Sequence, residues 1–267
     1  MVQLVAVDMD GTFLTTDKTY DRGRFEKILA ELKQRQIKFV VASGNQYAQL
    51  TSFFPESQEL TFVAENGVLI YDQNELIRES HFEKETLISM IHFLRENYPE
   101  VNMVLNSIQS AYMERHLPAE FQQFVAFYCH ALEKVDDLLA LDFEKEKYVK
   151  FALGVPTAQT EEIARAISAA FPDKAQAVSS GHGSVDIILP HYHKANGLKF
   201  LADYWQIDPQ DMMAFGDGHN DLEMLAYVGH SYAMANGAPA VLQTAKFIAP
   251  SNNESGVLQV LEDFLSQ

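Results

Sequence analysis

The chain has 267 residues, enough for one large domain or for a core carrying a second, smaller one, and 47% of them are hydrophobic, which excludes a disordered or disulfide-stapled mini-protein. A net charge of −17 excludes a nucleic-acid partner, because no basic stripe is present to displace counterions from phosphates. Cys129 is the single cysteine, which excludes an internal disulfide and a cysteine metal cluster and fits a reducing, cytoplasmic setting.

The chain opens on "VQLVAV", an apolar run with no basic region ahead of it that stops at Asp8. No run approaches the roughly 18 apolar residues of a membrane span, so the expectation is a protein without a membrane partner. Leu4 to Val7 reads as a strand. "RFEKILAELKQRQI" follows, with Phe25, Ile28, Leu29 and Leu32 at helical spacing, and then "KFVVA" and "LTFVA" read as strands. "VLIYDQNELIR" reads as a hairpin turning near Gln73-Asn74. Strand-helix alternation with near-continuous apolar strands implies a parallel sheet covered on both faces.

The character shifts near residue 83. Helix "KETLISMIHFLREN", strand "NMVLNS", hairpin-like "SAYMER", helix "PAEFQQFVAFYCHAL", strand "YVKFALGV", helix "TAQTEEIARAISAAF" and strands near "AQAVSS" and "VDIILP" form a separate α/β layer. "DDLLALDFEKEKYVK" reads as a solvated connection. After residue 190 the first pattern resumes with helix "ANGLKFLADYW", strand "MMAFG", helix "DLEMLAYV", strands "SYAMA" and "FIA" and helix "GVLQVLEDFLS". The expected organisation is a Rossmann-like α/β core from residues 1–82 and 191–267, with an inserted α/β cap over 83–190.

Three core strands end in polar company: Asp8-Met9-Asp10-Gly11-Thr12, Ser43-Gly44-Asn45, and Gly216-Asp217-Gly218-His219-Asn220-Asp221. Lys194 lies just before the helix that leads into the last of them. Ligands of doubly wound sheets bind outside the carboxyl ends of the strands, so these groups are expected to converge. Asp8 and Asp10, two apart on an extended chain, point the same way. Together with Asp217 and Asp221 they make four carboxylates, which cannot coexist ionised without cations. Mg²⁺ fits, since it takes one or two carboxylates, keeps waters and draws its remaining ligands from phosphate. Lys194 adds positive charge, and Ser43 and the Gly44 amide can donate to phosphate oxygens. One carboxylate is then free to attack phosphorus, and a second to act as acid and base.

"DMDGTF", "VVASGN", "HKANGL" and "FGDGHNDLEML", in this order, resemble the four motifs of the haloacid dehalogenase superfamily of phosphohydrolases. The long insertion between the second and third resembles the Cof-type members, and "ASGNQYAQL" is similar to their sugar phosphatases. The resemblance implies that Asp8 is the nucleophile and Asp10 the general acid/base. It implies that Ser43 and Lys194 hold the phosphate, that Asn220 contacts it, and that Asp217 binds Mg²⁺ with Asp8 and the Asp10 carbonyl. Asp221 would support that metal shell. Asn45 departs from the arginine common after the glycine of the second motif, which suggests a neutral polar part of the substrate there.

Several further residues are weighed against plainer roles. Asn66-Gly67 reads as the turn into the hairpin, and His191 and His193 beside Tyr192 as boundary residues. His182, in the glycine-flanked "SSGHGS", suits a closing loop or a plain turn. Phe121, Phe124, Val125 and Tyr128 read as cap core, and Cys129 as a buried small residue. The resulting expectation is a Mg²⁺-dependent phosphatase acting in the cytoplasm on a small phosphorylated metabolite, such as a sugar phosphate, as a monomer or weak dimer. A phosphomutase using the same residues and a phospho-accepting signalling module are the rival readings.

Overall fold

The structure, a computed structural model, describes residues 1–55, 57–181 and 183–267. In chain order the first elements are β1 (Leu4–Val7), α1 (Arg22–Gln34), β2 (Lys38–Ala42), α2 (Tyr47–Ser52), β3 (Thr61–Ala64), β4 (Leu69–Asp72) and β5 (Glu75–Glu79). The middle of the chain forms α3 (Lys84–Asn97), β6 (Asn102–Ser107), β7 (Ala111–Glu114), α4 (Ala119–Tyr128), β8 (Leu132–Val135), β9 (Tyr148–Gly154), α5 (Thr160–Ala170), β10 (Gln176–Gly181) and β11 (Ser184–Ile188). The last stretch forms α6 (Lys194–Trp205), β12 (Met212–Gly216), α7 (Leu222–Tyr227), β13 (His230–Met234), α8 (Pro239–Thr244), β14 (Phe247–Ala249) and α9 (Gly256–Leu265).

These elements divide into two compact units. The first comprises Met1–Asn45, Phe54–Arg78 and His193–Gln267; the second comprises Gln46–Phe53 and Glu79–Tyr192. The first sheet runs β14-β13-β12-β1-β2-β3-β4-β5. From β14 to β3 it is parallel, and β4 returns antiparallel to β3. β1 is therefore central, with β2 on one side and β12 on the other. Its four residues are all buried, as expected of a strand covered on both faces. Leu4, Ala6, Val40, Val63 and Ala214 pack on Leu198 and Leu201 of α6 and Met224 and Leu225 of α7. Phe13, Phe25, Phe39 and Phe54 make ring contacts at 5.0–6.0 Å.

The second unit has a six-stranded sheet, β10-β11-β9-β6-β7-β8, antiparallel except for the β7–β8 pair. Its main core joins Leu87, Met90, Ile91 and Leu94 of α3 and Ile163 and Ile167 of α5 to Leu105, Phe151, Leu153, Val185 and Ile187 of the sheet. Two expectations change here. α4 ends at Tyr128 instead of running on to Leu132, because Leu132–Val135 leaves helix to form β8 beside β7. The α4 stripe is core only in part: Val125 is buried with Val104, Ala111 and Met113 and Phe121 packs against them, but Phe124 and Tyr128 are exposed, as is Phe127. Cys129 is half-buried, with its thiol 3.9 Å from Asn106 Oδ1. His182 lies outside the described residues. Among the described residues no helix is long and apolar enough to cross a membrane.

Candidate active site

The sheet register brings the polar strand ends together. Val7 is level with Phe215 of β12 and with Val41 of β2. The residues just beyond therefore place Asp8 beside the end of β12 and beside Ala42, with Asp217 and Ser43 one step further on. The connections leaving β1 and β12 run in opposite directions along the sheet, to β2 and to β13, the position where open α/β sheets form clefts. The Asp8 amide continues the ladder by donating to the Phe215 carbonyl at 3.1 Å.

Asp8, Asp217 and Asp221 form one cluster, with a carboxylate oxygen from each within 4.8 Å of the others. Lys194, the first residue of α6, sends its ammonium into this cluster and donates to Asp8 Oδ1 and Asp221 Oδ1 at 2.5 Å each. The lysine and Asp221 are fully buried, and Asp8 is 6% exposed. Asp221 Oδ2 accepts from the backbone N–H groups of Asp217 and Gly218, both at 2.9 Å. Asp221 is thus engaged by protein donors on both oxygens and braces the loop that carries Asp217. Asp217 accepts from Thr12 Oγ1 at 3.0 Å and keeps an oxygen directed to the cluster. Gly11 makes this approach feasible: its φ is +79°, and a Cβ there would stand 2.4 Å from Asp217 Oδ2.

The electrostatics follow from burial. Burial pushes the Asp8 carboxyl up to about 8; Lys194 opposes this, while Asp221 and Asp217 add to it. Burial, then the charge of Asp221, raises Asp217 as well. For Lys194 burial favours the neutral amine, but Asp221 and Asp8 outweigh it and raise the ammonium above its usual range. Three carboxylates against one ammonium leave two excess negative charges when all are ionised, 3 − 1 = 2. A divalent cation would balance them, and an all-oxygen set suits a hard ion.

Asp10 stands outside this cluster. Its half-exposed carboxylate accepts from Lys18 Nζ at 2.5 Å on Oδ1 and from Asn45 Nδ2 at 2.8 Å on Oδ2. Asn45, expected to face substrate, thus has its amide on Asp10. Ser43 is buried, and its Oγ accepts from the Asn45 backbone N–H at 3.1 Å. Gly44 has Asn66 against it, since a Cβ on Gly44 would lie 3.0 Å from Asn66 Oδ1. Asn66 is more than a turn residue: it is buried with φ +57°, its N–H donates to the Ser43 carbonyl, and its Oδ1 has no hydrogen-bond partner among the described residues. Asn220 is exposed on the 3₁₀ turn between Gly218 and Asp221. His191 is exposed and His193 precedes α6.

Asn66-Gly67 forms the turn into β4 that the sequence predicts, with Asn66 buried there as well, whereas nothing in the sequence singles out Lys18. Lys18 lies in a polar loop with no motif around it, whereas Asn66 carried a signal in its place directly after a core strand.

A family model described as haloacid dehalogenase-like hydrolase matches residues 5–261. The chain is 40% identical over 265 residues to the 5-amino-6-(5-phospho-D-ribitylamino)uracil phosphatase YbjI of Escherichia coli (strain K12), covering 99% of this chain and 96% of that one. It is 28% identical over 274 residues to the 5-amino-6-(5-phospho-D-ribitylamino)uracil phosphatase YitU of Bacillus subtilis (strain 168), covering 98% and 97%. Among solved structures, SMU.1108c from Streptococcus mutans UA159 superposes with a TM-score of 0.93 at 37% identity, over 100% of both chains.

Proposed function

Because the chain belongs to the haloacid dehalogenase-like hydrolase family and is a phosphoric monoester hydrolase, we propose that it cleaves small phosphomonoesters of sugar or sugar-alcohol chains through an aspartyl phosphate on Asp8. The observation that carries this reading is the separation of the carboxylates into two environments. Asp8 lies buried beside Lys194, Asp217 and Asp221, while Asp10 is held apart by Lys18 and Asn45. Two carboxylates in contrasting surroundings suit a nucleophile and a proton carrier.

Lys194, with two of its three N–H donors on Asp8 and Asp221, keeps one for a phosphoryl oxygen. Ser43, the Gly44 amide and Asn220 complete the grip. Asp8 attacks phosphorus, a carboxylate O–P bond forms as the ester P–O bond breaks, and Asp10 protonates the departing alkoxide. Asp10 then takes a proton from water, which attacks phosphorus, releases inorganic phosphate and restores Asp8. Asp8, Asp217 and the Asp10 carbonyl would hold Mg²⁺, with Asp221 bracing them, and the ion would supply Lewis-acid neutralisation of the phosphoryl charge. The single cysteine supports a reducing, cytoplasmic setting, and the oligomeric state on this reading is a monomer or weak dimer.

The substrate class is supported by two relatives named for the phosphate of a ribityl chain. The test is phosphate release, with Mg²⁺, from a panel of 5-amino-6-(5-phospho-D-ribitylamino)uracil, hexose phosphates and p-nitrophenyl phosphate. Sustained turnover with the highest kcat/KM on a sugar or sugar-alcohol phosphate is expected. Phosphate retained on an isomerised product would indicate a mutase, and a single turnover a phospho-accepting module.

A further inference from the structure

Lys18 has no part in the chemistry assigned above, yet its placement is elaborately fixed. It stands in the loop that leaves β1 and returns to α1, with a left-handed backbone at φ +57°. A lysine gains nothing from that conformation, which glycine or asparagine adopts more readily. The loop around it leaves no alternative. The Lys18 N–H donates to the Thr15 carbonyl at 2.9 Å, and Thr15 N–H donates to the Thr19 carbonyl at 2.8 Å. The Thr15 and Thr19 hydroxyls meet at 3.0 Å. Phe13 and Tyr20 pin the loop's two ends, with ring centroids 4.9 Å apart. From the far end of the chain, Asn252 Nδ2 donates to the Leu14 carbonyl and Asn253 Oδ1 accepts from the Thr16 N–H, both at 2.9 Å.

The result of this fixing is one contact: Lys18 Nζ on Asp10 Oδ1, opposite Asn45 on Oδ2. Both partners are more than a third exposed, and ion pairs of that kind add little to stability. Stability therefore does not account for a strained lysine at this point. Its geometric effect does, because donors on both oxygens fix the plane of the Asp10 carboxylate and keep it out of the Asp8–Lys194–Asp221 cluster. Residues held in sparsely populated backbone conformations by an over-determined surrounding gather where orientation matters.

We propose that Lys18 is a positioning residue that, with Asn45, aims the Asp10 carboxylate for proton delivery to the leaving alkoxide. This rests on the reading of Asp10 as acid and base given above. On this proposal the lysine binds neither phosphate nor metal and acts through its contact with Asp10. Its removal should therefore matter most where the leaving group needs a proton.

The 267-residue enzyme with Mg²⁺ is compared as wild type, Lys18→Met, Lys18→Arg and Asp10→Asn. Each is assayed on a sugar phosphate and on p-nitrophenyl phosphate, with rapid-quench measurement of phosphoenzyme formation. General acid assistance is typically worth about 10²–10⁴-fold, and a misaimed acid loses part of it, so Lys18→Met should lower kcat on the sugar phosphate about 10–100-fold. Its KM should stay within about threefold, and phosphoenzyme formation from p-nitrophenyl phosphate should change far less than that kcat loss. Lys18→Arg, which keeps two donors in reach, should restore most of the rate. Equal losses in the rate of phosphoenzyme formation from the two substrates, or a rise in KM alone, would overturn the proposal by making Lys18 a phosphate ligand or a loop anchor. Asp10→Asn separates the two levels of the argument. If it shows the leaving-group dependence and Lys18→Met does not, the positioning role fails and the acid role stands. If Asp10→Asn lacks that dependence, both fall.

Discussion

Lys194 Nζ lies 2.5 Å from Asp221 Oδ1, and neither side chain has any surface open to solvent. The lysine sits at the first turn of α6, where the positive end of a helix disfavours a cation. Asp8 and Asp221 offset that as well as the desolvation. Breaking such a buried network by removing one member costs about 3–5 kcal/mol, because the remaining charges stay buried without a counter-ion. Lys194→Met should lower unfolding stability by that amount in urea titrations with chelator present. Adding Asp221→Asn removes one stranded carboxylate and should recover a measurable part, a non-additive double-mutant cycle. An unchanged midpoint in Lys194→Met would show that the network does not form in solution.

The raised carboxyl of Asp8 has a consequence for pH. An unfolded aspartate titrates near pH 3.9, while burial lifts Asp8 to about 8 in the folded chain. The folded state thus binds the proton more tightly, so its stabilising effect is complete below about pH 4 and disappears as pH rises through about 8. In chelator, wild type should lose stability relative to Asp8→Asn across this window, since the amide has no proton to lose. Saturating Mg²⁺ should flatten the difference by favouring the ionised form. Urea melts at a series of pH values test this; parallel curves for the two proteins in chelator would contradict it.

The parallel sheet was legible because β1, β2, β3 and β12 are near-continuous apolar runs, which only burial on both faces tolerates. The convergence of Asp8, Ser43 and Asp217 was legible for a related reason, since each follows a strand end and a parallel sheet aligns those ends. Asp10 shows where that logic stops. Alternation placed it on the face of Asp8, but the backbone leaves strand geometry at Asp8, and Gly11 turns the chain at φ +79°. Lys18 was invisible because its contact depends on a loop closed by Asn252 and Asn253, more than 230 residues away. The α4 stripe was legible only in part: Val125 and Phe121 pack inward while Phe124 and Tyr128 do not, because apolar periodicity does not say how wide a face is covered.

Gly197 gives a steric test of how α6 delivers Lys194. A Cβ at Gly197 would stand 2.3 Å from Cγ1 of Val63, a fully buried side chain of β3. Neither the strand nor the helix can yield without moving the first turn of α6. Overpacking of this kind typically costs about 1–3 kcal/mol. Gly197→Ala should lose that much stability and also lower activity through the displaced lysine. Val63→Ala in the same chain should restore the activity by clearing the clash. Persistent inactivity in a stable double variant would rule out displacement of α6 as the cause.

Asp8 and Asp217 share one cluster, and the proposed mechanism gives them separable tasks. If Asp8 is the nucleophile, Asp8→Asn leaves no group able to form the acyl phosphate, and even a substrate with a good leaving group should give no covalent label. The same mechanism gives Asp217 no bond to phosphorus; its carboxylate faces the other two and is steadied by Thr12. Asp217→Asn removes one of the excess negative charges that favour a divalent ion while leaving Asp8 in place. The Mg²⁺ concentration for half-maximal activity should rise on the order of 10–100-fold, the scale seen when a metal site loses a supporting group. The shift in melting temperature on adding Mg²⁺ should shrink in parallel, a readout independent of turnover. At high Mg²⁺ an acid-quenched sample of Asp217→Asn, fed a substrate labelled in its phosphate, should still carry label on protein. Label in Asp8→Asn, or an unaltered Mg²⁺ requirement in Asp217→Asn, would overturn the division between attacking and metal-holding carboxylates.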